Sequence, residues 1–115
     1  MRRGEVRPVD LDPARGPEAN KRRPAVIVSN DGANSTAERL GRGVLAVVPV
    51  TSRTERVYPF EVKLPARETE LRLDSKAQAE QVRAVAVERI GDQVGSLSAD
   101  LVAALDEALR LHLAL

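Results

Sequence analysis

Gly43-Val44-Leu45-Ala46-Val47-Val48-Pro49-Val50 is the most apolar run of the chain. A short, unbroken apolar run rich in β-branched residues reads as a buried central strand. Pro49 has no N–H to give a ladder, so it asks for an edge or a bulge near the strand's end. Upstream, Pro24-Ala25-Val26-Ile27-Val28-Ser29 has the same character and reads as a second buried strand. Asn30-Asp31-Gly32 is a turn. Residues 34–40 can hold one helical turn capped by Asn34 or Ser35 and ended by Gly41 and Gly43. Val6, Val9 and Leu11 mark a first strand within 4–12, where Pro8 again asks for an edge or a bulge. Residues 12–23 carry Pro13, Gly16, Pro17 and Asn20 before the cations Lys21-Arg22-Arg23, the composition of a loop.

Downstream, 51–55 is a polar turn. Val57, Phe60, Val62 and Leu64 predict a half-solvated strand over 57–64, 65–69 is a loop, and 71–76 adds a short strand. Residues 79–90 fit neither period, and their β-branched content favours strand, stopped by Gly91. Residues 98–115 form an amphipathic helix with Ser98 as N-cap, Asp100 in its first turn and a stripe of Leu101, Val102, Leu105 and Leu109. Short strands with frequent turn residues and one terminal helix predict a mainly β chain closed into a small, strongly bent barrel, a single domain over 1–115.

The 115 residues are 43% apolar and 30% charged, a globular composition. No apolar run is long enough to cross a membrane, and no apolar stretch follows Met1-Arg2-Arg3, so a cytoplasmic protein is expected. Without cysteine, disulfide, thiolate and zinc–cysteine chemistry are excluded. The net charge is +1, but residues 1–58 hold eleven cations and seven acids, so +4 there faces −3 in the remainder. Most of the cations are arginine, whose planar fork suits phosphate. Arginine- and alanine-rich chains also come from GC-rich genomes, and composition does not separate the two readings.

The single histidine, His112, falls in the last turn of the terminal helix, where its charge suits the helix dipole. Asp10-x-Asp12 could hold a hard cation, though paired carboxylates on a strand are more often solvated. Phosphate-cradling glycine loops are absent. What remains is a basic loop beside strand ends: Lys21-Arg22-Arg23 before one strand, Thr51-Ser52 after another, and Gln81 beyond. An arginine, hydroxyls and an amide are the parts of a phosphate site. Each has a plainer reading too: solvated cations, a turn cap, and an amide bonding a loop.

The order of these blocks resembles the MazF/PemK-type toxins. Arg3-Gly4-Glu5-Val6, Val9-Asp10-Leu11-Asp12-Pro13, Gly16-x-Glu18 and Lys21-x-Arg23-Pro24-Ala25-Val26-Ile27-Val28-Ser29-Asn30-Asp31 carry the likeness at the start. Val48-Pro49-Val50-Thr51-Ser52, Tyr58-Pro59-Phe60-Glu61-Val62, Asp74-Ser75 and Ala79-Glu80-Gln81-Val82-Arg83 carry it through the rest. The resemblance implies an SH3-like barrel of the CcdB/PemK type with a C-terminal helix, assembled as a homodimer. It implies a toxin that cuts single-stranded mRNA at a short sequence without metal or cofactor. A small antitoxin with an acidic tail blocks it, and the complex of the two binds DNA. Arg23 and Thr51 would be catalytic. Ser52 and Gln81 would lie near the substrate, and Glu18, Asn20 and Lys21 on the loop covering it. One place departs: the aromatics that usually follow Gly-Glu are here Arg7-Pro8. Two other readings stay open, a CcdB-like DNA gyrase poison and a catalytically inactive module that binds RNA or antitoxin.

Overall fold

The computed structural model describes every residue of the chain except Ala14 and Asn20. Its strands are β1 (Glu5–Asp10), β2 (Arg22–Ile27), β3 (Val44–Thr51), β4 (Glu61–Leu64), β5 (Ser75–Gln78), β6 (Arg83–Ala86) and β7 (Gly95–Ser96). The helices are α1 (Asp31–Leu40), α2 (Ala66–Thr69) and α3 (Ala99–Leu113). Every strand pairing is antiparallel, in the order β4-β5-β3-β2-β1-β7, with β6 also on β3. The predicted bent, mainly β architecture with its terminal helix is therefore present.

β3 is the spine. One flank pairs with β2; the other pairs first with β6, through Val47↔Arg83, and then with β5, from Val50↔Ala77. Pro49 falls where that flank changes partner, so the proline sits in an interior strand without an edge. Both faces of the sheet are covered. Val26, Val48, Val50, Val62, Leu64 and Ala77 pack with Leu105 and Ala108 of α3. Ala25, Ile27, Leu45, Val47 and Val85 pack on the opposite side with Ala37 of α1. Two-sided burial is why β2 and β3 read as unbroken apolar runs and not as alternating ones.

Several boundaries differ from expectation. The single turn over 34–40 is a full helix from Asp31, capped by Asn30, whose side chain accepts the Ala33 amide. Asn34 is wholly buried, and its amide group donates to the Ser29 carbonyl at 2.9 Å while accepting the Ser29 hydroxyl. The 57–64 strand shortens to 61–64. Tyr58 and Phe60 stack with centroids 5.3 Å apart, and the Glu61 amide closes a turn onto the Tyr58 carbonyl. The 65–69 loop contains α2, and the short strand slides from 71–76 to β5. Residues 79–90 read ambiguously because they are three pieces, β6 between two 3₁₀ turns. Ser98 caps α3 as expected, accepting the Leu101 amide.

A cationic cleft across three strands

Antiparallel register assembles the site. Ala25 faces Pro49, so two residues further along Arg23 comes beside Thr51 and, two beyond, Lys21 beside Arg53. On the other flank Thr51 faces Lys76 directly. Side chains alternate along a strand, so residues facing each other across a ladder rise on the same side. Arg23, Thr51 and Lys76 thus form a row over β2, β3 and β5, on the side of the sheet away from α3. With Lys21, Arg53 and Gln78 they line a polar cleft of about 460 Å³. An adjoining recess of about 240 Å³ adds Ser52, Pro24 and Val50 to Arg23, Thr51 and Arg53.

The hydroxyl of Thr51 accepts the Arg53 amide at 3.2 Å, a bond that leaves its own O–H to donate. Lys21 stands in the left-handed region at φ 64, with its amide held by the Asp12 carboxylate at 2.8 Å. Asp10 accepts the Asp12 amide at 3.1 Å. Asp10 and Asp12 thus shape the base of the loop. Glu18 is exposed and accepts the Arg15 amide at 2.6 Å, outside the cleft lining. Gln81 lies outside it too. Its amide donates to the Pro17 carbonyl and accepts the Ala19 amide at 3.0 Å, pinning the loop that leads to Lys21. Asn20 lies outside the described residues. His112 is exposed on the last turn of α3.

The structure adds residues that the sequence did not single out. Arg53, Lys76 and Gln78 line the cleft. The Lys76 ammonium donates to the Arg56 carbonyl at 2.7 Å and to Glu61 Oε1 at 2.8 Å. Burial raises the Glu61 carboxyl, but bonds from Glu80, Lys76 and the Tyr58 amide outweigh it and hold Glu61 below the usual range. Burial, and then the bond to Glu61, push Glu80 up to about 7. In the place of the missing aromatics, Arg7 pairs with Glu5 at 2.8 Å and bonds the Gly91 carbonyl, while Pro8 lines an apolar groove. That groove also holds Pro24, Val50, Leu71, Leu73 and Val94. Among the described residues, no helix is long and apolar enough to cross a membrane.

A guanidinium, a hydroxyl donor and flanking cations can bind a phosphodiester and stabilise charge that develops on it. A model described as PemK-like, MazF-like toxin of type II toxin–antitoxin system matches residues 2–113. The Mycobacterium tuberculosis protein named endoribonuclease MazF9 is 64% identical over 113 residues, 98% of this chain and 96% of that one. A crystal structure of MazF from Deinococcus radiodurans superposes with a TM-score of 0.82 at 28% identity, covering 100% of this chain and 97% of the other. A crystal structure titled MazE-MazF from the same organism gives 0.72 at 26% identity, covering 98% and 94%.

Proposed function

The chain belongs to the PemK-like, MazF-like toxin family of type II toxin–antitoxin systems, and from that premise we propose a metal-independent endoribonuclease that cuts single-stranded mRNA at a short sequence. The observation that carries the reading is the row of Arg23 and Thr51 in a cation-lined cleft. The RNA brings its own nucleophile. Its 2′-oxygen bonds to phosphorus, the bond from phosphorus to the 5′-oxygen breaks, the 2′-hydroxyl gives up a proton and the leaving oxygen gains one. Products are a 2′,3′-cyclic phosphate and a 5′-hydroxyl. Arg23 holds two phosphate oxygens in its fork and strengthens as the phosphorane gathers charge, and Thr51 donates a third bond. Ser52 and Lys21 flank the bound strand. Gln81 and Glu18 act through the loop that precedes β2, and Asn20 is a further candidate for substrate binding.

The partner is a small antitoxin with an acidic tail, whose carboxylates match Lys21, Arg23 and Arg53. The chain acts as one domain and as a homodimer in the cytoplasm, where its mRNA substrate is. The groove of Pro8, Pro24, Leu71, Leu73 and Val94 supports the dimer, because Leu73 is 63% and Val94 46% exposed in the isolated chain. The gyrase-poison alternative draws no comparable support, since its chemistry needs no such cleft.

The test is incubation of the purified protein with a long RNA, with end mapping of the fragments. Cyclic-phosphate ends formed equally in EDTA support the reading. Intact RNA, or cutting that EDTA stops, sinks it.

A further inference from the structure

Beside the cleft lies a buried charged cluster that the proposed chemistry leaves unused. Glu61 of β4 and Lys76 of β5 have side chains only 2% and 10% exposed. Lys76 stands directly opposite Thr51, with Cβ atoms about 5 Å apart in such a pair. Its ammonium holds the Arg56 carbonyl, and the Glu61 oxygen it pairs with also accepts the Tyr58 amide at 3.1 Å. One ion pair thus ties down residues 56 and 58 of the segment that carries the chain from Thr51 back to β4. Glu80 closes the cluster from its 3₁₀ turn. Its Oε1 is buried with no partner among the described residues, and burial and then its interaction with Glu61 raise its carboxyl. A proton held by Glu80 lets that buried carboxyl donate a hydrogen bond without adding a second negative charge beside Glu61.

We propose that Glu61, Lys76 and Glu80 are positioning residues for the cleavage reaction, a proton-sharing clamp that holds Thr51 and the 52–60 segment in place and slackens when the shared proton is lost. The inference rests on the endoribonuclease reading above. With the proton present, the cluster holds one carboxylate, one ammonium and one neutral acid, and its charge balances. Without it, two buried carboxylates compete for one ammonium. Pulling Lys76 off the Arg56 carbonyl, or Glu61 off the Tyr58 amide, relieves that repulsion and loosens the segment. The charges that act on Glu80 are those of Glu61 and Lys76. β3 and α3 also pack against its turn, and they bring the apolar Val50, Leu105 and Ala108 to the shared core. Glu61 and Glu80 lie outside the cleft lining, and only Lys76 reaches it.

Single-turnover cleavage of one RNA is followed across pH for the wild type and for Glu80→Gln, whose amide still donates to Glu61 but does not ionise. Between roughly pH 6 and 8 the wild-type rate should fall about tenfold relative to the variant's, the loss of protonated fraction in a group titrating near 7. The ratio cancels any pH dependence that the two share. Superimposable profiles overturn the clamp, whereas an inactive wild type at every pH sinks the endoribonuclease reading instead. A second arm needs no activity. In ¹⁵N–¹H spectra of the wild type, the Thr51, Arg56 and Tyr58 amides should shift together with a midpoint near 7. Amides that stay still across that range overturn the proposal, even if Glu80→Gln does not fold.

Discussion

Replacing Arg23 by lysine keeps a positive charge in the cleft but removes the planar fork. Loss of one preorganised donor costs about 3–4 kcal/mol, so Arg23→Lys should cut about a hundred- to a thousandfold more slowly in a labelled-RNA assay. Thr51→Ala removes a single donor and should slow the reaction in the same direction, with the circular dichroism unchanged. Gln81→Ala should behave differently. Its amide holds the Pro17 carbonyl and the Ala19 amide, so the loop loosens; KM should rise with kcat nearly constant, and the Ala19 amide should exchange faster. Equal losses in kcat for Gln81→Ala and Thr51→Ala would show that Gln81 meets the reacting group. Strand adjacency singled out only the polar clusters that hold Arg23 and Thr51 at the ends of two apolar runs, and the family resemblance is what names these two as catalytic. Lys76 was not. Its place beside Thr51 comes from pairing residues 25 positions apart, and that register is written in no local pattern.

At the level of elements, the strands with buried faces and the capped helix were the legible ones. β2, β3 and α3 carry long apolar signals, whereas the 57–60 segment imitates a strand until its stacked rings and tight turn take it off the ladder. α1 was under-read because its buried face is small, with Asn34 and Ala37 as its only fully buried residues. Ser98→Ala removes the bond to the Leu101 amide and should cost about 1 kcal/mol in urea unfolding. The Glu80 carboxyl is raised from its ordinary 4.5 to about 7. Its stabilising contribution is therefore complete below the unfolded value and is lost as pH climbs through the folded one. Tm of the wild type should decline between about pH 4.5 and 7 relative to Glu80→Gln, the unfolded chain ionising first. A difference that instead grows toward acid would mean that Glu80 is held as a carboxylate.

The whole molecule has a core on each side of one sheet and an apolar groove left open at Pro8, Leu73 and Val94. Light scattering should therefore give twice 12.5 kDa at micromolar concentration. Leu73→Asp should shift that mass to the monomer with the fold retained, because Leu73 is mostly exposed within one chain. Association with an acidic-tailed antitoxin should slow as salt rises, since the cleft's cations steer the encounter. Neither partner was visible in a single chain's periodicity, which records only what the chain buries against itself.

The pairing of Ala25 with Pro49 and of Thr51 with Lys76 also makes the molecule a ruler for insertions. One extra residue between Val47 and Thr51 would turn the threonine to the side that carries α3 and slide it off Arg23. One extra residue at Gly41–Gly43, between α1 and β3, displaces none of these pairings. A scan of single-residue insertions should therefore leave two kinds of folded survivor: harmless proteins altered along β3, and toxic ones altered in the connections.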